Sequence, residues 1–402
     1  MIETYLFDAI RTPRTKGKPD GSFAKVSPYE LINQLVIALR KRNGAEVIEK
    51  TQRLSLGCVT QVGAQGGHVA LMARTYSGLP DTAVASTINN YCVSGLSALA
   101  VAVRTISSGE EYLAIAGGVE CMSQAIFEGD KATFFNDSEL AARLRYVSPP
   151  IVADLLATLD GITRAELDTV TINSHRSAGI AWNNGHYHST VIPISLVDGT
   201  LVERDELVRP NLTLSDLERF TPAFDALGAM GHDAQLLVAM PKIKKINHIH
   251  SVAHCPPIAD GASLLLIGSA IGAATAGLKP RARIAGITEI NTNPLDPFAA
   301  GFACIDRLLQ RSGLKPKDIG AIEFMEAFAA VPVKFLRQNK FNPSIVNASG
   351  GHLAMGHPMG ASGAILVATL LAEMERRDVE WGIAVAHAVS GVGAGVLLQR
   401  CT

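Results

Sequence analysis

Two far-separated stretches constrain this chain more than anything else in it, because each is a turn that carries a reactive side chain and opens a helix of small residues. The first reads Ile88-Asn89-Asn90-Tyr91-Cys92-Val93-Ser94-Gly95-Leu96-Ser97-Ala98. It joins a β-rich run, Thr82 to Ile88, to a small-residue helical run, Gly95 to Val103. Cys92 therefore sits where the free N–H groups of a helix start point at an anion, which favours a thiolate, the form that attacks carbonyl carbon. The same residue also reads as a small buried apolar side chain, the usual state of an intracellular cysteine. The second stretch, VNASGGHLAMGHPMGASGA over residues 346–364, holds His357 between Gly356 and Pro358 before another run of small residues. A nucleophilic cysteine needs a base or cationic partner, and histidine, with an unperturbed pKa near ~6.5, is the usual one.

Around these turns, apolar strands alternate with helices. Thr4 to Ile10, Leu54 to Val59, Thr82 to Ile88, and Leu113 to Ala116 ending at Gly117-Gly118 read as strands. So do Ser263 to Ile267, Arg281 to Ile290, Ile319 to Phe324, Gly382 to Ala386 and Gly395 to Leu398. Helical spacing runs from Pro28, where Ser27 and Glu30 make a capping box, and through Val69 to Tyr76. The alternation predicts a mostly parallel α/β sheet. At 402 residues with 48% hydrophobic content the chain can bury a large core in two or three lobes. Between 121 and 248 polar, aromatic and proline-bearing segments such as Phe127 to Phe135 and Ser148-Pro149-Pro150 interrupt helices, which reads as an inserted loop domain. The halves on either side look alike: a strand leads to a reactive residue and a Ser-Gly pair opens a helix, Ser94-Gly95 and Ser362-Gly363. A repeat this long implies a duplicated domain.

A net charge of −1 with 18% charged residues supplies no global field for nucleic acid or an acidic membrane surface. Six scattered cysteines fit neither a disulfide framework nor a metal module and suit a reducing compartment. The N-terminus lacks a basic segment followed by an apolar core, and no apolar run of ~18 residues escapes polar interruption. A cytoplasmic protein that neither spans nor binds membrane is the expectation.

Over nearly its whole length the sequence resembles the thiolase family. The matching pieces are Arg11-Thr12-Pro13-Arg14 with Asp20-Gly21-Ser22, the Cys92 stretch, Gly117 to Ser123, and Ala153-Asp154-Leu155. Farther on come Arg209-Pro210, Asp260-Gly261-Ala262, Glu326-Ala327-Phe328-Ala329 and Gly356-His357-Pro358. The resemblance implies two α/β halves packed face to face in five layers, α-β-α-β-α. Residues 1–120 would form the N-terminal half, 121–248 the inserted loop or cap domain, 249–272 a return to the first half, and 273–402 the C-terminal half. It also implies acyl transfer between coenzyme A thioesters through an acyl-cysteine, with Cys92 as nucleophile, partly backbone oxyanion stabilisation, and His357 as activating base. Coenzyme A thioester would be substrate, with no cofactor or metal, and the chain would form a homodimer or homotetramer.

Three positions depart from the family pattern. Where the family carries a second cysteine to move the α-proton, this chain has His387. A histidine base is closer to the ~7 that step requires than a cysteine at ~8.5; the alternative is a packed residue with the role lost. Met325 replaces the asparagine before Glu-Ala-Phe and cannot donate its hydrogen bond, a loss that commonly costs ~10²–10³ in rate. His352 is a possible substitute or else a structural or solvent-facing side chain, and Asn347 survives from an Asn-x-x-Gly-Gly stretch. Met325, His352 and Asn347 are thus expected at the substrate. Pro256-Pro257, after His254-Cys255, stands where the family has Ser-Gly beside pantetheine, and Lys242, Lys244 and Lys245 either line the nucleotide end or form a solvated face. These departures leave open a condensing enzyme with a different acceptor, or a weakened paralogue that binds coenzyme A.

Overall fold

The computed structural model describes residues 2–126 and 128–401. Met1, Phe127 and Thr402, which begin or end three of the segments read above, lie outside the described residues. The strands are β1 (Tyr5–Arg11), β2 (Thr15–Lys16), β3 (Arg53–Gly57), β4 (Val84–Ile88), β5 (Leu113–Cys121) and the small antiparallel pair β6 (Ile194–Ser195) and β7 (Leu201–Val202). Then come β8 (Ala259–Gly268), β9 (Ala282–Asn291), β10 (Ala321–Phe324), β11 (Trp381–Ala388) and β12 (Val392–Arg400). All but β6 and β7 join one sheet in the order β10-β11-β12-β9-β1-β8-β5-β3-β4, with β2 beside β8. β1 and β9 pair only at Tyr5 with Arg283 and Leu6 with Ala282, so two half-sheets meet at a narrow seam.

Topology carries the duplication. From the seam outward the first half runs β1, β8, β5, β3, β4; the second runs β9, β12, β11, β10, and then Val346 makes a single parallel bridge to Ile322 where a fifth strand would lie. In both halves the outermost extended segment precedes the reactive turn. The sheet is not mostly parallel, however. Only β3 with β4, β3 with β5, and β10 with β11 are parallel, whereas β8 runs antiparallel to β5 and β1, and β12 to β11 and β9. Helical crossovers produce the parallel pairs; a hairpin at Ser390-Gly391, both at positive φ, and the long excursion after β5 return the chain in the opposite sense.

Period-2 alternation assigns the layers. In β5, Leu113 and Ile115 join the core shared with the helix Pro28–Asn43, while Ala114 and Ala116 face the core that holds the helices Ser94–Ser108 and Met359–Arg376. These two helices pack on each other and on strands of both halves; Pro28–Asn43 and Val69–Tyr76 cover one outside and Ala299–Ser312 the other, which completes five layers. Small residues make the central contact possible, since a Cβ on Gly363 would lie 2.6 Å from the Leu96 amide nitrogen. β5 likewise continues through Gly117-Gly118 instead of ending there, and a Cβ on Gly118 would lie 2.3 Å from the Gly360 carbonyl oxygen. The stretch Tyr91–Ser108 is long and apolar enough to match a membrane span by composition, yet Leu96, Leu99, Ala102 and Ile106 are fully buried in the protein core. Ser27 caps its helix by accepting from Glu30 N, but the Glu30 carboxylate binds Asn33, Gln34 and Tyr76 and does not close the expected box.

Candidate active site

Cys92 sits in the turn between β4 and the first central helix. Tyr91 takes a positive φ of 49°, and Ser94 Oγ locks the turn by accepting from Asn90 N at 2.8 Å and donating to Tyr91 O at 2.5 Å. The sulfur lies 3.8 Å from Met359 Sδ in the second central helix. Burial pushes the thiol up to about 12, and the nearby Glu120 carboxylate adds to the shift. Desolvation of a negative sulfur thus opposes the thiolate that the helix start favours. Glu120 itself, fully buried on β5, accepts from the amides of Val59, Thr60 and Gly360 at 2.9 Å each and from Gln65 Nε2 at 2.8 Å. One carboxylate thus ties the first half to the start of the second central helix.

His357 is held by its backbone: its N–H donates to Pro257 O at 2.8 Å, and Arg14 Nη1 donates to Gly356 O at 3.1 Å. The Arg-Thr-Pro-Arg segment thus contributes Arg14, and the Pro256-Pro257 pair a backbone carbonyl, to the placing of His357. The second central helix starts at Met359, earlier than the Ser-Gly pair, so Ser362 lies in its first turn and places Oγ 2.6 Å from His357 Nδ1. Nε2 is buried without a partner. Burial, followed by the influence of His387 and Arg14, lowers this imidazole to about 3.

His387 lies on β11, fully buried between Phe298 and Phe324, with ring centroids 5.3 and 5.1 Å away. Its Nε2 is 2.9 Å from the Met325 carbonyl oxygen. A carbonyl only accepts, so Nε2 carries the proton and Nδ1, which has no partner, is a free lone pair. Burial lowers His387 to about 4, partly offset by the Met325 hydrogen bond.

Cys92, His357, His387 and Met359 line one cavity of about 330 Å³. Its wall is otherwise mainly apolar, with Phe135, Tyr146 and Phe224 from the excursion after β5 and Phe298 and Phe328 from the second half. The other expected contacts are not on this wall. Met325 is fully buried in the core and offers only its carbonyl, to His387. His352 is buried and not solvent-facing; its ring stands perpendicular to His357 at 5.2 Å. Asn347 bonds the backbone of Phe324 in both directions at 2.8 Å and so fastens the end of β10. None of the three is among the cavity's lining residues: Met325 packs in the core, Asn347 fastens the end of β10, and His352 stands against His357. Lys242, Lys244 and Lys245 are exposed, whereas Cys255 and Pro256 do line the cavity. Met359 was missed, although its position two residues after His357 offered a cue, and Ser362 was read only as a helix opener.

Burial has a consequence for stability. His175, His254 and His387 are lowered to about 4 and His357 to about 3, all chiefly by burial. The unfolded chain, with histidines near ~6.5, takes up these protons more readily, so stability is full above that pH and declines as pH falls toward 4. Each histidine contributes up to ~1.4 kcal/mol per pH unit inside that window. Asp260, raised to about 6 by burial, and the raised Glu323 and Glu326 act in the opposite sense, so the test is the difference. Replacing His175 or His254 with Gln should flatten the fall of Tm between pH 6.5 and 4.5, and an unchanged slope would contradict this.

Duplicated halves that deliver a thiol and two neutral imidazoles to one cavity define a two-half α/β enzyme. Family models described as thiolase, N-terminal domain, and thiolase, C-terminal domain, match residues 4–232 and 278–400, and the chain belongs to the thiolase family. It is 30% identical over 405 residues to the 3-ketoacyl-CoA thiolase of Alcanivorax borkumensis, covering 99% of this chain and 98% of that one. It is 32% identical over 422 residues to the beta-ketoadipyl-CoA thiolase of Escherichia coli, and 32% over 407 to the 3-ketoacyl-CoA thiolase of Photorhabdus laumondii, each alignment covering 100% of both chains.

Proposed function

We propose that this thiolase transfers an acyl group between coenzyme A thioesters through an acyl-Cys92 intermediate, by Claisen condensation or its thiolytic reverse. The observation that carries the reading is the meeting of three reactive side chains on one cavity: Cys92, His357 with its free Nε2, and His387 with its free Nδ1. A thiol held near 12 attacks only as its proton leaves, and His357 Nε2 is the base for it when Nδ1–H donates to Ser362 Oγ. The new S–C bond expels coenzyme A, which takes the proton back from His357. His387 Nδ1 then removes the α-proton of a second acyl-CoA, and the carbanion attacks the thioester carbon. The S–C bond breaks to release the Cys92 thiolate, to which the proton held on His387 is returned. Thiolysis runs the same steps backward. Coenzyme A is substrate throughout, and the route uses no metal or prosthetic group. Incubation with acetyl-CoA or a longer acyl-CoA, followed by intact mass, tests the assignment; no adduct with any acyl-CoA would defeat it.

A homodimer or homotetramer belongs to the same proposal. Among the described residues no strand pairs with the outer edge of β4, the strand that leads to Cys92, and an open edge is a ready surface for a second copy. Light scattering should give at least twice the chain mass, and a monomer at micromolar concentration would count against it. Six unpaired cysteines support a reducing, cytoplasmic setting, which cell fractionation can test.

A further inference from the structure

The walls of the cavity point to a narrower choice of substrate, an inference that rests on the acyl-Cys92 reading. At about 330 Å³ the cavity lies at the lower end of the range that holds drug-sized ligands, and it takes the pantetheine end of the thioester, beside Pro256, together with the acyl group. Phe135, Tyr146, Phe224, Phe298 and Phe328 surround that space with aromatic carbon. Among the described residues the only carboxylates on the wall are Glu128 and Asp130, and no lysine or arginine lines it. Both wall histidines are neutral at physiological pH. Tyr146 OH donates to Glu128 Oε1 at 3.2 Å, which fixes one of these carboxylates beside the aromatic wall.

We infer that the preferred acyl group is an uncharged hydrocarbon chain of several carbons, and that Glu128 and Asp130 select against acyl groups ending in a carboxylate. Such a carboxylate would leave water for a wall with no cation to pair with it and two like charges to repel it, whichever part it reached. Rejection by unpaired charge discriminates more strongly than the gain or loss of one methylene.

The test compares octanoyl-CoA with adipoyl-CoA as donors, following the rate of Cys92 modification by intact mass. Octanoyl transfer should exceed adipoyl transfer by at least about 100-fold at equal concentration, because juxtaposed like charges are strongly disfavoured. Glu128→Gln combined with Asp130→Asn should narrow that ratio about 10-fold by raising the adipoyl rate, and Asp130→Asn alone, at an exposed position, should narrow it in part. A melting curve on each variant reports its folding. Equal rates in the wild-type protein, or a faster adipoyl rate, overturn the inference while leaving acyl transfer intact. A ratio unchanged in the folded double variant overturns the role given to the carboxylates. Modification by neither donor, with acetyl-CoA still forming an adduct, overturns the inference about chain length; the acyl-Cys92 reading itself falls only if acetyl-CoA also leaves Cys92 unmodified.

Discussion

Cys92→Ala should erase the acyl adduct and lower turnover on the order of 10⁵-fold, the scale seen when a covalent nucleophile is removed. The size of the effect follows from the site's construction. No other thiol is so placed: Cys58, Cys121, Cys304 and Cys401 are not among the residues that line the cavity. Cys255 does line it, but its thiol donates to the Ser251 carbonyl at 3.6 Å. The variant should remain folded, because Cys92 is only partly buried and its turn is held by Asn90, Tyr91 and Ser94. An adduct that survives in Cys92→Ala, located on another residue by peptide mapping, would sink the assignment of the nucleophile.

The second large effect separates the two half-reactions. His387→Ala should leave acylation of Cys92 by an acyl-CoA within several-fold of normal, yet lower condensation by about 10²–10⁴, the range for a positioned general base. His387→Cys gives the sharper test. The imidazole is lowered to about 4 and stays a neutral base throughout the physiological range, so condensation in the native protein should vary little between pH 6 and 8. A cysteine is a base only as thiolate, near ~8.5 in the open and higher when buried, so the variant should gain activity steeply as pH rises. Equal loss of both half-reactions in His387→Ala would mean that the ring only packs against Phe298 and Phe324.

Much of the fold was legible because its causes are local. Strand positions follow from short apolar runs, and the helix starts near Pro28 and Val69 follow from spacing and caps. Sheet direction was not legible from alternation alone. The turn at Ser390-Gly391 sends β12 back along β11, but the antiparallel course of β8 depends on the path of more than a hundred intervening residues. The site shows the same division. Cys92 and His357 announce themselves by their turns, whereas Met325 and Asn347 drew attention by position in a motif and prove to be core and strand-end residues.

What the sequence by itself determined is the pair of reactive turns, the small residues behind them and the repeat that relates them, because these depend on neighbours along the chain. Tertiary structure alone decided that burial lowers both imidazoles and raises the Cys92 thiol, and that aromatic rings and two carboxylates wall the cavity. Desolvation and charge depend on which atoms close around a group from every side, and most of those atoms come from residues remote in the chain.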